Sequence, residues 1–191
     1  MKRIMLIVAL LVVQGCATKL TTYNQEQHPN IALQPQEGLV LMRLANHWAL
    51  SKIKIAGDQG DFLLDWYALQ TFHRYSSPYM YQGHYFLFSM PAGEYRISEV
   101  IRYVGSTKSW AELSEEENPG LWSFRVEANR INYIGDFYTQ VSRQGYLEQI
   151  HFTNRASFAL DFSEKQLPEL LTLYPLTYSG AGRDDLFEVI R

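Results

Sequence analysis

The chain has 191 residues, 47% of them hydrophobic and 14% aromatic, with 20 acidic against 17 basic side chains. That length suits one domain with a proper core, and the composition is too apolar for a disordered protein. A formal charge of −3 leaves no basic footprint for nucleic acid, while the abundance of Tyr and Phe leans toward β structure.

Met1-Lys2-Arg3 is a short cationic start, and the ten residues that follow, Ile4 through Val13, are an unbroken apolar run. Ten is about half of what a membrane-spanning helix needs and is the length of a signal-peptide core. Gln14-Gly15-Cys16 comes next, and Cys16 is the one cysteine in the chain. Val13-Gln14-Gly15-Cys16 resembles the lipobox of bacterial lipoproteins. The resemblance implies a signal peptide over residues 1–15, a diacylglyceryl thioether on Cys16, cleavage before it, and acylation of the new amino terminus. It also implies the lipid bilayer as a partner, because several acyl chains hold firmly where one holds marginally. Ala17, where a retention signal would place Asp, resembles lipoproteins sorted to the outer membrane, facing the periplasm. Loss of Lys2 and Arg3 from 17 basic residues leaves 15 against 20 acidic, a formal −5. No disulfide can then staple the domain.

Residues 16–37 are polar beyond the cysteine, contain two prolines and show no sustained period, which predicts a tether. A single domain is expected over 38–191. Leu39-Val40-Leu41-Met42-Arg43-Leu44 is an apolar run of strand length, Ser51–Ile55 alternates, and a Gly57–Gly60 turn precedes Asp61-Phe62-Leu63-Leu64-Asp65-Trp66. His84–Met90 runs into the turn Pro91-Ala92-Gly93, and Glu94-Tyr95-Arg96-Ile97 alternates. A bulge near Ser98 is expected, resetting the buried face to Val100. Trp122, Phe124 and Val126 share one face, Asn129 makes a turn, and Ile131, Tyr133 and Phe137 follow, with Gly135 marking a bulge or close backbone approach. Residues 106–118 are expected to be a solvated loop. Ser163-x-x-Gln166 offers a capping box and Pro168 an alternative start near Leu167 for one short helix carrying Leu170, Leu171 and Leu173. A turn at 180–185 and a last strand at 186–190 complete the chain. The segments amount to a mainly β domain, an antiparallel sandwich or barrel with one short C-terminal helix.

The stretch from Met90 to Ile97 and the later run Phe124-Arg125-Val126-Glu127-Ala128-Asn129-Arg130-Ile131-Asn132-Tyr133-Ile134-Gly135-Asp136 resemble uncharacterised bacterial lipoproteins with a transthyretin-like or immunoglobulin-like β-sandwich. The Leu-Tyr-Pro at 173–175 is similar to the end of their short C-terminal helix. The resemblance implies a fold and carries no activity.

Motifs for phosphate, dinucleotide, zinc-protease or serine-hydrolase chemistry are absent from the sequence. The five histidines are scattered; a site of His73, His84 and Asp65 across a hairpin is conceivable, but surface histidines are the simpler expectation. No cofactor is expected. Residues 72–86 hold six aromatics around Ser76-Ser77-Pro78, a composition suited to a binding loop. Arg74, Tyr75, Tyr79 and Tyr81 are the candidate binding residues, for an envelope protein or a glycan. The expected role is a non-catalytic binding or accessory module; the alternative is a carbohydrate-active or other hydrolase using surface carboxylates.

Overall fold

The computed structural model describes residues 17–23, 31–45, 50–65 and 83–184. Cys16, His73, Arg74, Tyr75, Tyr79, Tyr81 and the expected strand at 186–190 lie outside the described residues. In chain order the elements are β1 (Thr18–Lys19), β2 (Glu37–Ala45), β3 (Lys52–Gly57), β4 (Phe62–Asp65), β5 (Gly83–Pro91), β6 (Gly93–Val104) and β7 (Thr107–Glu112). These are followed by β8 (Ser123–Val126), β9 (Ile131–Val141), β10 (Leu147–Thr153), two helices and β11 (Leu176–Tyr178). The helices span Ala156–Gln166 (α1) and Pro168–Leu173 (α2).

An outer sheet has the order β1-β4-β3-β6-β7 with β8 beside β6, and a central sheet the order β10-β9-β2-β5 with β11 beside β9. Val40, Met42 and Leu44 of β2, with Phe86 and Phe88 of β5, share a buried cluster with Ile53, Ile55, Phe62, Leu64, Tyr95 and Phe124 of the outer sheet. Leu39, Leu41, Tyr85, Leu87, Ile131 and Tyr133 point the other way, into a second cluster with Ala156, Ala159, Phe162, Leu167 and Leu170. The central sheet is therefore covered on both faces, which is why β2 reads as a continuous apolar run rather than an alternation.

The fold is mainly β, but the expected antiparallel order is not what forms. Both sheets are mixed: β1 runs parallel to β4, and β2 and β11 run parallel to β9. Parallel pairing belongs with a sheet buried on both faces, and the second cover comes from helices the sequence reading undercounted. Two helices stand where one was expected. Ser163 is buried inside α1 and caps nothing, whereas Pro168 occupies the first turn of α2 beyond Leu167. Residues 107–112, expected in a loop, form β7, paired along β6 from Val104↔Thr107 to Glu99↔Glu112. Its charged and polar side chains suit an edge strand and masked the alternation.

Within the stretch read as a tether, Thr18 donates its N–H to Asp61 O at 2.8 Å and Leu20 to Leu63 O at 2.9 Å. Leu20 is buried, and Tyr23 donates to Leu87 O across to the central sheet. Glu37 already belongs to β2.

The two expected bulges are present. The β3–β6 register shifts between Lys54↔Glu99 and Ile55↔Ile97, so Ile97 and Val100 are both buried. Glu99 is thereby brought to Lys54 and Lys108. Burial raises its carboxyl pKa, but the two ammonium hydrogen bonds outweigh burial and the net direction is down. The β2–β9 register shifts between Leu41↔Tyr133 and Met42↔Gly135. Ile134 already faces the inter-sheet core by alternation, and the bulge brings Phe137 to that core as well while returning Asp136 to the helix side. Asn129 turns the chain before β9 with φ 57°. Tyr95 donates to Pro91 O at 2.8 Å across the Pro91–Gly93 corner; burial, then the Asp58 charge, push its hydroxyl up to about 12.

Gly135 has φ +118°, and a Cβ there would lie 2.1 Å from the Phe152 ring; Gly60 has φ +113° with open space around it. Gly60→Ala should cost about 1–2 kcal/mol from backbone strain alone. Gly135→Ala should cost about 1–3 kcal/mol more, through overpacking against Phe152. Urea unfolding of both variants checks the difference; equal losses would mean that Phe152 yields without cost.

Candidate functional site

The central sheet carries a charged rung in its middle. Tyr85 of β5 pairs with Arg43 of β2, Arg43 with Asp136 of β9, and Asp136 with Thr153 of β10. Neighbours in register point to the same face, here the helix side. Arg43 Nη1 lies 2.8 Å from Asp136 Oδ2, and both side chains are only 6% exposed. The Tyr133 hydroxyl donates to Asp136 Oδ1 at 2.7 Å, and the Arg155 backbone N–H donates to the Tyr133 oxygen at 3.3 Å. Both carboxylate oxygens are thus held. Removing two charges from water costs several kcal/mol each, repaid only when geometry and hydrogen bonding are good.

Burial pushes the Asp136 carboxyl above its ordinary range; the Tyr133 hydroxyl and the charges of Arg43 and Arg155 pull it back. Burial, then the Asp136 charge, drive the Tyr133 and Tyr85 hydroxyls far above the ordinary phenol value. Both stay protonated, and Tyr133 acts here as a donor rather than a base. The Tyr85 ring stacks on Phe162 of α1 with centroids 4.0 Å apart. The helix is therefore seated against the charged rung.

Helical cover begins only at Ala156, after Arg155. Beyond it, two rungs of the sheet floor a cavity of about 510 Å³: Arg43–Asp136–Thr153 and Ala45–Tyr138–His151, with Phe137 and Phe152 also lining it. Arg155 closes one side, its Nε 3.9 Å from Asp136 Oδ2, with 38% of its side chain exposed. Tyr138 is 44% exposed, and its ring centroid lies 6.0 Å from that of His151. The arrangement offers two guanidiniums and an imidazole around one carboxylate, with the Tyr138 ring beside them.

The cavity and the entry of the chain lie at opposite ends of the domain. Thr18 pairs with Phe62, Ile55 with Phe62 and with Ile97, and Glu37 with Pro91, so β1, β2, β4 and β6 all start at one end. Ala45 is eight residues further along β2, about 26 Å at strand rise.

Of the sequence candidates, Cys16, Arg74, Tyr75, Tyr79 and Tyr81 fall outside the described residues. The chain that carries the last four rejoins the structure at Gly83, opposite Ala45 of the cavity. The final two aromatics of that stretch, Tyr85 and Phe86, are core residues on opposite faces of β5, 3% and 1% exposed. Among the described residues no three His, Cys, Asp or Glu side chains group as metal ligands. Arg43, Asp136 and Arg155 were not singled out from the sequence. The available signal was one arginine inside the apolar run of β2 and one aspartate after the glycine of β9. Comparison with known protein families, with curated proteins and with solved structures found no match.

The Asp136 linkage has a definite sign. Its folded pKa lies above the unfolded one, so the stability tied to this group is present in acid and lost as pH rises through the folded value. Deleting the Tyr133 hydroxyl raises that value further. Tyr133→Phe should cost about 1–3 kcal/mol at neutral pH and less below the carboxylate range, where the acid is protonated. Urea unfolding at the two pH values checks this; a cost that grows in acid would contradict it.

Proposed function

We propose that the protein is a bacterial envelope lipoprotein, anchored in the outer membrane through acylated Cys16 and facing the periplasm. Its domain, a β-sandwich of the transthyretin-like or immunoglobulin-like kind with an added helical layer, serves as a non-catalytic binding or accessory module. The observation that carries the reading is the order of features at the start of the chain. A cationic pair, ten apolar residues and Cys16 are followed, two residues later, by the first strand of the domain.

That spacing has a mechanical consequence. Two residues span about 7 Å when extended, so an anchor on Cys16 would hold the domain against the bilayer by the end where β1 starts. The cavity would then face away from the membrane, toward the periplasm and whatever it carries. Partner contact through Arg74, Tyr75, Tyr79 and Tyr81 belongs to the same reading, because their segment returns to the fold beside the cavity. Binding is favoured over hydrolysis by the lining itself. Hydrolysis by paired carboxyls requires a second acid across the cleft, whereas Asp136 is faced by Arg43 and Arg155.

Metabolic labelling with a fatty acid tests the anchor. The full chain should take up label and sediment with membranes, and Cys16→Ser should abolish both. Labelling and membrane retention that survive the substitution would overturn the proposal.

A further inference from the structure

We propose that the cavity beside Arg43 and Asp136 is a binding site for a small organic carboxylate: one carboxyl group on a compact aromatic or apolar body. The inference deepens the binding-module reading and rests on it for the choice of site, but it does not require the anchor.

Charge is the first argument. Arg43 and Asp136 neutralise each other at 2.8 Å. Arg155 is a second cation on the same carboxylate: its Nε stands 3.9 Å from Asp136, outside hydrogen-bond distance, with its guanidinium 5.9 Å from the Phe158 ring centroid. Arg43, Asp136 and Arg155 together thus carry one net positive charge. The planar fork of Arg155 matches a carboxylate with two parallel N–H donors. The sign is reinforced by the first turn of α1, which contains no acidic residue and follows directly from Arg155. The mature chain carries a formal excess of acidic residues, so this local positive surplus runs against the rest of the molecule.

The amount of charge selects the kind of anion. A single surplus positive charge suits a monoanion. A phosphate dianion docked on Arg155 would bring a second negative charge within a few ångströms of the Asp136 carboxylate, where a low dielectric makes repulsion strong. A carboxylate is accepted and a dianion is disfavoured.

Shape supplies the body of the ligand. About 510 Å³ falls in the range of small-molecule pockets, where apolar walls bind and a few polar groups orient. Ala45 and the tilted ring pair of Tyr138 and His151 give the apolar and stacking surface on this face, while Phe137 and Phe152 line the floor through their backbone and turn their rings to the inter-sheet core. Thr153, on the Asp136 rung, adds a hydroxyl.

The test is a calorimetric titration of the full chain in detergent micelles with three probes: benzoate, neutral benzyl alcohol and inorganic phosphate. Benzoate should bind saturably at one site, and the other two should not. Arg155→Gln should weaken benzoate about tenfold or more with an unchanged circular dichroism spectrum, and Arg155→Lys should retain part of the affinity as a point charge. Absence of saturable benzoate binding, tighter binding of phosphate than benzoate, equal binding of benzyl alcohol, or an Arg155→Gln variant that binds benzoate normally would each overturn the assignment. Fatty-acid label on Cys16, read on the same preparation, separates the failures. Loss of benzoate binding with the label intact condemns the ligand class alone, and loss of the label condemns the anchor alone.

Discussion

An ion pair between Arg43 and Asp136, nearly sealed from water in the middle of a sheet covered on both faces, is the constraint around which the domain is arranged. Neither charge is tolerable there alone. The pair fixes the register of β2 against β9, since a one-residue slip of β2 would send Arg43 into the inter-sheet core and leave Asp136 alone on the helix side. It requires the Gly135 bulge, which returns Asp136 to the helix side after Ile134 has faced the core. It also requires the Tyr133 hydroxyl on the second oxygen, and Tyr133 in turn takes the Arg155 N–H at the start of α1. One buried carboxylate thereby ties two strands to the helix that covers them. Because the helix begins at that point, the next rung of the sheet lies open beyond it as the floor of a cavity.

The same constraint explains which parts of the fold were legible in the sequence. Local backbone chemistry could be read directly: the Ser98 bulge from a clash of alternations, the Gly135 bulge from a lone glycine in a strand, the Asn129 turn, and Pro168 opening a helix. The strand set was readable wherever one face is buried, as at Tyr95 and Ile97. Three features were not. β7 hides its pattern because Lys108, Ser109 and Glu112 occupy an exposed edge. The start of α1 at Ala156 has Arg155 at its N-cap, which makes no side-chain cap bond, and its first N–H is taken instead by Asn154 one residue further back. Parallel pairing of β2 with β9 joins segments about ninety residues apart and leaves no local trace.

The candidate site was legible in a different sense. The proposed lipidation at Cys16 rests on a linear motif, the kind of signal a processing enzyme would read without any fold. A cavity made by register is not linear: Arg43, Asp136, His151 and Arg155 converge only after three strands and a helix have assembled. The apolar runs around Arg43 and Asp136 drew attention to core formation and away from the two charges inside them. Tyr85 and Phe86 show the converse difficulty. Their aromatic character places them equally well on a binding loop or in a core, and burial on opposite faces of β5 decides for the core.

The account stands or falls on whether Arg43 and Asp136 act as one buried unit, and a double-mutant cycle measures that directly. With Arg43→Met, Asp136→Leu and the double variant unfolded in urea, each single substitution should cost about 3–5 kcal/mol by stranding the other charge. The double variant should cost less than either single one, giving a large coupling energy. Single costs that simply add would contradict the account, for they would mean that the two charges stabilise the sheet independently and that nothing else in the fold depends on their pairing.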